Sequence, residues 1–453
     1  MAETIQLSFF AENDAEQVEA VHREDLGTFK DSLRSPVHRW FTYPAGFSFK
    51  AVEEAFRIYN IKEGMAVYDP FGGTATTNIV ASQVGIRSFG VEAHPFVHFV
   101  GRTKLFWDFD SSNLLHQIDT LIENVLTSIK GQDIASISME KLFPELVCKC
   151  YGKEKLAYLY LCREAVNSLS PSPFRDFAKL GLTSLLRSIS DVHTGWPYIA
   201  PKKERRDMTG PCNVDVAEKF RDQLYQMYGD LQKMRSLRKV TGQAKFILGD
   251  SRCRQDIIGD SSIDLVFTSP PYLNNYDYSD RTRLEMYFWD EAQNWGDITR
   301  TVRSRLIMSA TTQVLRSNYT TGDLLSNDFL KISPDMAAEL GPKVNELTQR
   351  RLQKGGKKSY DIMVAGYFND MLQVLQETFR VLKPGSAFLL ILGDSAPYGV
   401  HIPTDIYLGE IGKAVGFARY KIEDLRLRGG KWKDNPQRHN VALKESILTL
   451  EKD

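Results

Sequence analysis

The chain lacks net charge: 57 Lys and Arg are balanced by 57 Asp and Glu over 453 residues. A protein that coats nucleic acid over its whole surface shows a basic excess in its composition, so that class is excluded while a local basic face is not. Cysteine is scarce and odd in number: Cys148, Cys150, Cys162, Cys212 and Cys253. This excludes a disulfide-stapled secreted domain and points to a reducing, cytoplasmic setting. Cys148 and Cys150 are separated by one residue, not the two to four of a zinc half-site, and no His or Cys pair follows, so no metal is expected. Long apolar runs are also missing. The longest, AFLLIL at 387–392, is far too short to span a bilayer, and the N-terminal MAETIQLSFFAEND has neither the basic nor the apolar region of an export signal. What is present, 42% hydrophobic and 25% charged residues, is the composition of an ordinary soluble chain that can bury a large core as two or three domains or as one with insertions.

Residues 1–35 hold eight acids and three bases and form an acidic lead-in without a strand signal. After Pro36 come the aromatic stretch VHRWFTYPAGFS and a helix, KAVEEAFRIYN, with Val52, Ala55, Phe56 and Tyr59 at helical spacing. Strand MAVY (65–68), helix TTNIVASQV and strand RSFGVE (87–92) follow. From 111 to 242 helical periodicity dominates, which predicts a helical insertion. Strands return at KFILGD (245–250) and IDLVFTSPP (263–271), pause through a polar second insertion at 290–364, and resume with SAFLLILGD at 386–394. YKIEDLRL and ESILTLEK are predicted to pair as an antiparallel edge hairpin. Strands alternating with helices predict an open, doubly wound, mostly parallel α/β sheet, its core built from 36–110, 243–289 and 365–453.

Two segments carry chemistry. The first is Asp69-Pro70-Phe71-Gly72-Gly73-Thr74, between an apolar strand and a helix. Glycines there let backbone approach a ligand, and the helix N-terminus offers free N–H groups. Glu92, twenty residues after Gly72 and ending the next strand, stands where a carboxylate grips ribose hydroxyls. The spaced G-x-G-x-x-G of dinucleotide enzymes is absent, which excludes a dehydrogenase. The second is Thr268-Ser269-Pro270-Pro271-Tyr272, at the end of another apolar strand. Two prolines fix the backbone and remove competing N–H donors. The Ser269 hydroxyl and Pro270 carbonyl can then accept both hydrogens of an exocyclic amine while Tyr272 offers a ring to a flat base.

DPFGGT followed by TSPPY resembles the DNA amino-methyltransferases, enzymes that transfer a methyl group from S-adenosylmethionine to cytosine N4 or adenine N6. The resemblance implies a Rossmann-like methyltransferase sheet, cofactor contacts from Asp69, Phe71, Gly72, Gly73 and Thr74, ribose binding by Glu92, and catalysis at Ser269, Pro270, Pro271 and Tyr272. Leu248-Gly249-Asp250 resembles the family's third motif and implies that Asp250 lies near the cofactor's adenine amine. Arg39-Trp40-Phe41-Thr42-Tyr43-Pro44 resembles the segment closing over the methionine part, which implies a cofactor role for Tyr43. Val381-Leu382-Lys383-Pro384-Gly385 resembles the turn before the fifth strand. Serine before the prolines is the form commoner in cytosine-N4 enzymes, so the resemblance favours cytosine N4, with adenine N6 as the alternative.

The implied partner is double-stranded DNA, together with a cognate restriction endonuclease or defence-system partner. Basic runs are candidates for contacting its phosphates: Lys202, Lys203, Arg205 and Arg206, preceded by Trp196 as a stacking ring; 231–245; Arg350, Arg351, Lys357 and Lys358; and Lys431 and Lys433 in the hairpin loop. Both insertions are assigned to target recognition and DNA contact. Two rivals remain, an RNA methyltransferase of the tRNA guanine-N2 type and a catalytically silent DNA-binding subunit. The first is disfavoured because Leu273, not glycine, follows the tyrosine, and the second because both motifs are intact. Pro211-Cys212 imitates the nucleophile motif of cytosine-C5 enzymes but lies in the helical insertion, in the wrong order relative to Glu123-Asn124-Val125.

Overall fold

The computed structural model describes residues 26–28, 30–43, 46–195, 199–201, 215–237, 243–274, 276–316, 324–428 and 441–453. Seven strands form one sheet: β1 (Ala66–Asp69), β2 (Arg87–Glu92), β3 (Ala244–Leu248), β4 (Ile263–Thr268), β5 (Leu382–Gly393), β6 (Arg419–Arg428) and β7 (Leu443–Lys452). Their order is β3-β2-β1-β4-β5-β7-β6. The first five run parallel, and β7 pairs antiparallel with both β5 and β6, so the anticipated edge hairpin is present. The chain leaves β1 in one direction along the sheet and returns through β4 in the other. In such a sheet, ligands bind outside the strand carboxyl ends at that reversal. The Rossmann-like fold expected from the sequence is the fold observed.

Strand residues alternate between two apolar layers, as a period of two requires. Val67, Leu265, Phe267, Leu389 and Ile391 face α1 (Phe49–Ile58) and α2 (Thr76–Gln83). Tyr68, Val266, Leu390 and Leu392 pack in the second layer with residues of α9 (Tyr360–Val381) and α10 (Thr404–Val415). Each fully buried aliphatic side chain contributes about 1.5–3 kcal/mol, so these two layers dominate the stability of the sheet. The expected turn at 381–385 is absorbed into β5: Ile263 pairs with Leu382, but Leu265 pairs with Ala387 instead of Pro384, a bulge with Gly385 at φ +75°.

The helical insertion is built from α4 (Ser111–Gly131), α5 (Lys153–Asn167), α6 (Pro173–Leu185) and α7 (Val216–Leu237), following α3 (Pro95–Leu105). Its core is continuous with Trp40, Phe96 and Val100. Gly181 allows the close approach of α6 and α7, since a Cβ there would lie 2.6 Å from Leu224. Fully buried Asp230 on α7 accepts hydrogen bonds from Val37 N (3.3 Å), Arg39 Nε (2.8 Å) and Trp40 Nε1 (3.0 Å). The insertion is therefore bolted to the aromatic segment that leads to Tyr43. The second insertion contains a π-helical turn, Thr299–Arg303, and α8 (Pro334–Gln353), which packs on α9. Among the described residues, no helix is long and apolar enough to cross a membrane.

Candidate cofactor and target-base site

A cavity opens at the carboxyl ends of β1, β2, β3 and β4, at the reversal of strand order. Its empty space, open mouth included, is about 860 Å³. Its wall brings together residues far apart in sequence: Tyr43, Phe71, Gly72, Gly73, Thr74, Glu92, Asp250, Ser269 and Pro271. Both motifs thus face one space.

Asp69 is not on that wall. It ends β1 with its carboxylate buried behind the loop, accepting from Phe71 N (3.0 Å), Thr77 Oγ1 (2.8 Å) and Thr268 Oγ1 (2.6 Å). Burial pushes this carboxyl up to about 6, against the pull of those three donors. It ties the glycine loop, α2 and β4 together, and therefore sets the distance between the two motifs. Gly72 also has a different use from the expected ligand approach. A Cβ there would meet the Phe246 ring at 2.6 Å, and Gly90 and Gly101 make room for the same ring at 2.6 and 2.5 Å. Gly73, at φ +52° and on the cavity wall, where a Cβ would meet only the Phe71 carbonyl oxygen at 3.8 Å, is the glycine that shapes the loop toward the cavity.

Glu92 closes β2 with one carboxylate oxygen accepting Gly73 N (2.9 Å) and the other His94 N (2.7 Å). Burial raises its pKa to about 7, while those N–H groups oppose the shift and the Asp69 charge adds to it. With Ala93 N as a third backbone donor, the carboxylate still keeps a lone pair for a ligand hydroxyl. Asp250, just after β3, is held by Arg252 Nε (2.9 Å) and Nη2 (2.7 Å).

In the second motif the Ser269 hydroxyl donates to Ile391 O at 3.0 Å. Its proton is thereby committed to β5, which leaves the oxygen as an acceptor on the cavity wall. Pro270 is buried and Pro271 lines the cavity. Tyr272 does not line it; its hydroxyl donates to buried Glu445 on β7 (2.7 Å), whose other oxygen accepts Arg426 Nε (2.5 Å). The Arg428 guanidinium stands 5.2 Å from the Tyr272 ring centre. The edge hairpin thus fixes that ring. Sequence reasoning missed Phe47, His94, Ser251, Tyr278 and the stretch Arg305, Leu306, Ile307 and Ser309, all on the cavity wall. Tyr278 could have been suspected from its closeness to TSPPY, but the 305–309 stretch carries no motif.

Of the proposed phosphate contacts, Lys357 and Lys358 are exposed and, like Lys354, have no acidic partner among the described residues. Arg350 donates to Tyr398 O (2.5 Å), in the loop that follows β5, and pairs with Glu346. Arg351 is bound to buried Asp361 (2.9 Å), so its charge is already matched inside the protein. Trp196, Lys202, Lys203, Arg205, Arg206, Lys431 and Lys433 lie outside the described residues.

A reversed parallel sheet that brings its glycine loop, Glu92, Ser269 and Pro271 to one cavity has the architecture of a methyltransferase. Comparison with known proteins agrees on that class. The chain is similar to the Type II methyltransferase M.BsoBI of Geobacillus stearothermophilus, with 25% identity over 96% of this chain and 89% of that protein. It is also similar to M.AvaI of a Nostoc species (24% identity; 90% of this chain, 84% of the other) and to M.MvaI of Kocuria varians (20%; 88% and 85%), both Type II methyltransferases. The resemblance read from DPFGGT and TSPPY is thus borne out: relatives matched over nearly the whole chain are Type II methyltransferases. No family model matches the chain. Among solved structures, the rRNA methyltransferase aviRa from Streptomyces viridochromogenes aligns at TM-score 0.21 and 11% identity over 65% of this chain and 80% of that one, too low to carry an argument.

Proposed function

We propose that this chain is a site-specific DNA methyltransferase that uses S-adenosylmethionine to methylate the exocyclic amine of a flipped base, cytosine N4, and that it works within a restriction-modification system. The observation that carries the reading is Ser269: its proton is spent on Ile391 O, so a serine oxygen is held as an acceptor in the same cavity as Gly73, Glu92 and Asp250. The donor set suits the cofactor. Glu92 offers lone pairs to ribose hydroxyls, Asp250 an acceptor to an adenine amine, and Gly73 an open approach for the methionine part.

When bound, the cofactor supplies an electrophilic methyl group. An aromatic amine is a poor nucleophile because its lone pair is delocalised into the ring. Accepting both N–H bonds, with Ser269 Oγ and the Pro270 carbonyl, returns density to the nitrogen and aims it. Asp69 holds both motifs at a fixed separation, which supplies rate through orientation. With Ser269 Oγ accepting from the amine, the proton that the methylated amine would no longer hold would leave to solvent. Tyr272, held by Glu445, offers its ring to the flipped base. Lys354, Lys357, Lys358 and Arg350 in the second insertion meet DNA phosphates, and the helical insertion contributes to target recognition. The test is to incubate the protein with methyl-labelled S-adenosylmethionine and duplex DNA or total RNA, then identify the modified nucleoside. N4-methylcytosine in DNA is expected, N6-methyladenine moves the reading to the sister specificity, and label in RNA alone overturns it.

A further inference from the structure

One part of the cavity wall belongs to neither motif. Arg305, Leu306, Ile307 and Ser309 enter it directly after the π-helical turn, from an insertion otherwise assigned to DNA. Arg252 holds this stretch in place. Its guanidinium clamps the Asp250 carboxylate with Nε (2.9 Å) and Nη2 (2.7 Å), reaches Asp370 on α9 with Nη1 (3.0 Å), and donates from Nη2 to Arg305 O (3.3 Å). The other Asp370 oxygen accepts Met308 N at 2.8 Å. The far end is pinned as well: Gln313 accepts from Ser309 N (2.8 Å) and donates to Ile307 O (2.9 Å), while Ser309 O accepts Asn274 N (2.8 Å) from the loop after Tyr272. One half-buried arginine therefore sets both the carboxylate that would receive an amine and the apolar wall beside it.

We propose that Arg252 is a positioning residue for the purine end of the cofactor: through Asp250 on one side and Asp370 with Arg305 O on the other, it builds a slot that accepts a flat, uncharged purine bearing an exocyclic amine. This rests on the methyltransferase reading. Geometry gives the slot its selectivity. The Asp250 carboxylate, with both oxygens held by Arg252, presents acceptors to the slot, so it rewards an amine donor and penalises a carbonyl at the same ring position. Leu306 and Ile307 supply the apolar surface for the ring.

The test compares binding of S-adenosylhomocysteine with that of its inosine counterpart by calorimetry, on the full-length protein and on Arg252→Ala, Arg252→Lys and Asp370→Asn. Wild type should prefer the adenosine form at least tenfold. Arg252→Ala should weaken S-adenosylhomocysteine binding about tenfold or more and collapse the adenosine-to-inosine preference, while kcat at saturating cofactor stays within a few-fold and KM for DNA is unchanged. Asp370→Asn, which leaves the Asp250 clamp intact, should weaken both ligands alike and keep their ratio; it also carries the test with Arg252→Lys if the alanine variant does not fold. An Arg252→Ala protein with wild-type affinity and preference overturns this inference alone. A folded wild type that binds neither ligand overturns the methyltransferase reading and the inference with it.

Discussion

The Glu92 carboxyl makes cofactor binding depend on pH in a calculable way. Burial raises its pKa from 4.5 to about 7, so in the cofactor-free protein the proton is held across a range where an exposed glutamate has lost it. Ribose hydroxyls donate, and the ionised form receives them best, so binding must expel the proton. Each unit of pH below the folded pKa then costs a factor of ten, or about 1.4 kcal/mol. The dissociation constant for S-adenosylhomocysteine should thus fall about fivefold from pH 6 to pH 7, approach tenfold per unit only below pH 6, and level off above pH 7.5. The same shift acts on stability with a definite sign. A carboxyl whose folded pKa exceeds its unfolded value favours the fold when protonated, so the contribution is present below pH 4.5 and is lost as pH rises toward 7. Over 2.5 units the loss is about 3 kcal/mol. Cofactor-free protein should therefore melt lower at pH 7.5 than at pH 5.5, and saturating ligand should narrow the gap. Glu92→Gln should bind weakly at every pH, because Gly73 N and His94 N donate to different oxygens and the amide NH2 would face one of these donors, and should lose the slope between pH 6 and 7. The assay is calorimetric titration from pH 5.5 to 8.5. A wild-type profile flat across pH 6 to 7, or a Glu92→Gln profile that keeps the slope, would refute the reasoning.

Three further outcomes follow from the contacts. Ser269→Ala should lower kcat on the order of a hundredfold, the cost of removing one preorganised polar contact to the reacting group, and leave S-adenosylhomocysteine affinity within twofold. Asp230→Asn should lower stability by about 3 kcal/mol in denaturant titration, since the Arg39 charge loses its buried partner, and should raise KM for the cofactor because Tyr43 follows directly from the loosened segment. Replacing Lys354, Lys357 and Lys358 together by alanine should reduce the salt slope of DNA binding by about 3 and leave the recognised sequence unchanged, as phosphate contacts do. An unchanged slope would place the DNA elsewhere.

Much of the fold could be read from the sequence because local apolar runs and turns are local causes. RSFGVE is β2 residue for residue, and MAVY, KFILGD and IDLVFT match β1, β3 and β4 to within a few residues. The VLKPG segment reads as a turn by itself, yet Val381 ends α9 and Leu382 to Gly385 open β5 with a bulge against β4, which only the neighbouring strand could decide. At the site, Glu92, Gly73 and Ser269 could be found from spacing and residue chemistry, since each stands where a strand ends and a loop begins, while Asp250 was found only through the family resemblance. Gly72 could be singled out but not explained, because the ring that fills its missing side chain comes from Phe246, far along the chain. The 305–309 wall and its Arg252 clamp had no sequence signal at all.

The opening absence of net charge also depends on tertiary structure. Composition alone determined that whole-surface nucleic-acid coating is excluded. Only the fold decided which cations remain available: Arg351 is matched by buried Asp361 and Arg252 is shared between Asp250 and Asp370, while Lys354, Lys357 and Lys358 stay exposed without acidic partners among the described residues. Sequence determines which charges, strands and turns exist, because those follow from each residue and its near neighbours. Which charges cancel, which ring fills which gap, and which loops share a cavity are set by tertiary packing, whether the partners are near in sequence, as Arg351 and Asp361 are, or far apart, as Gly72 and Phe246 or Arg252 and Asp370 are.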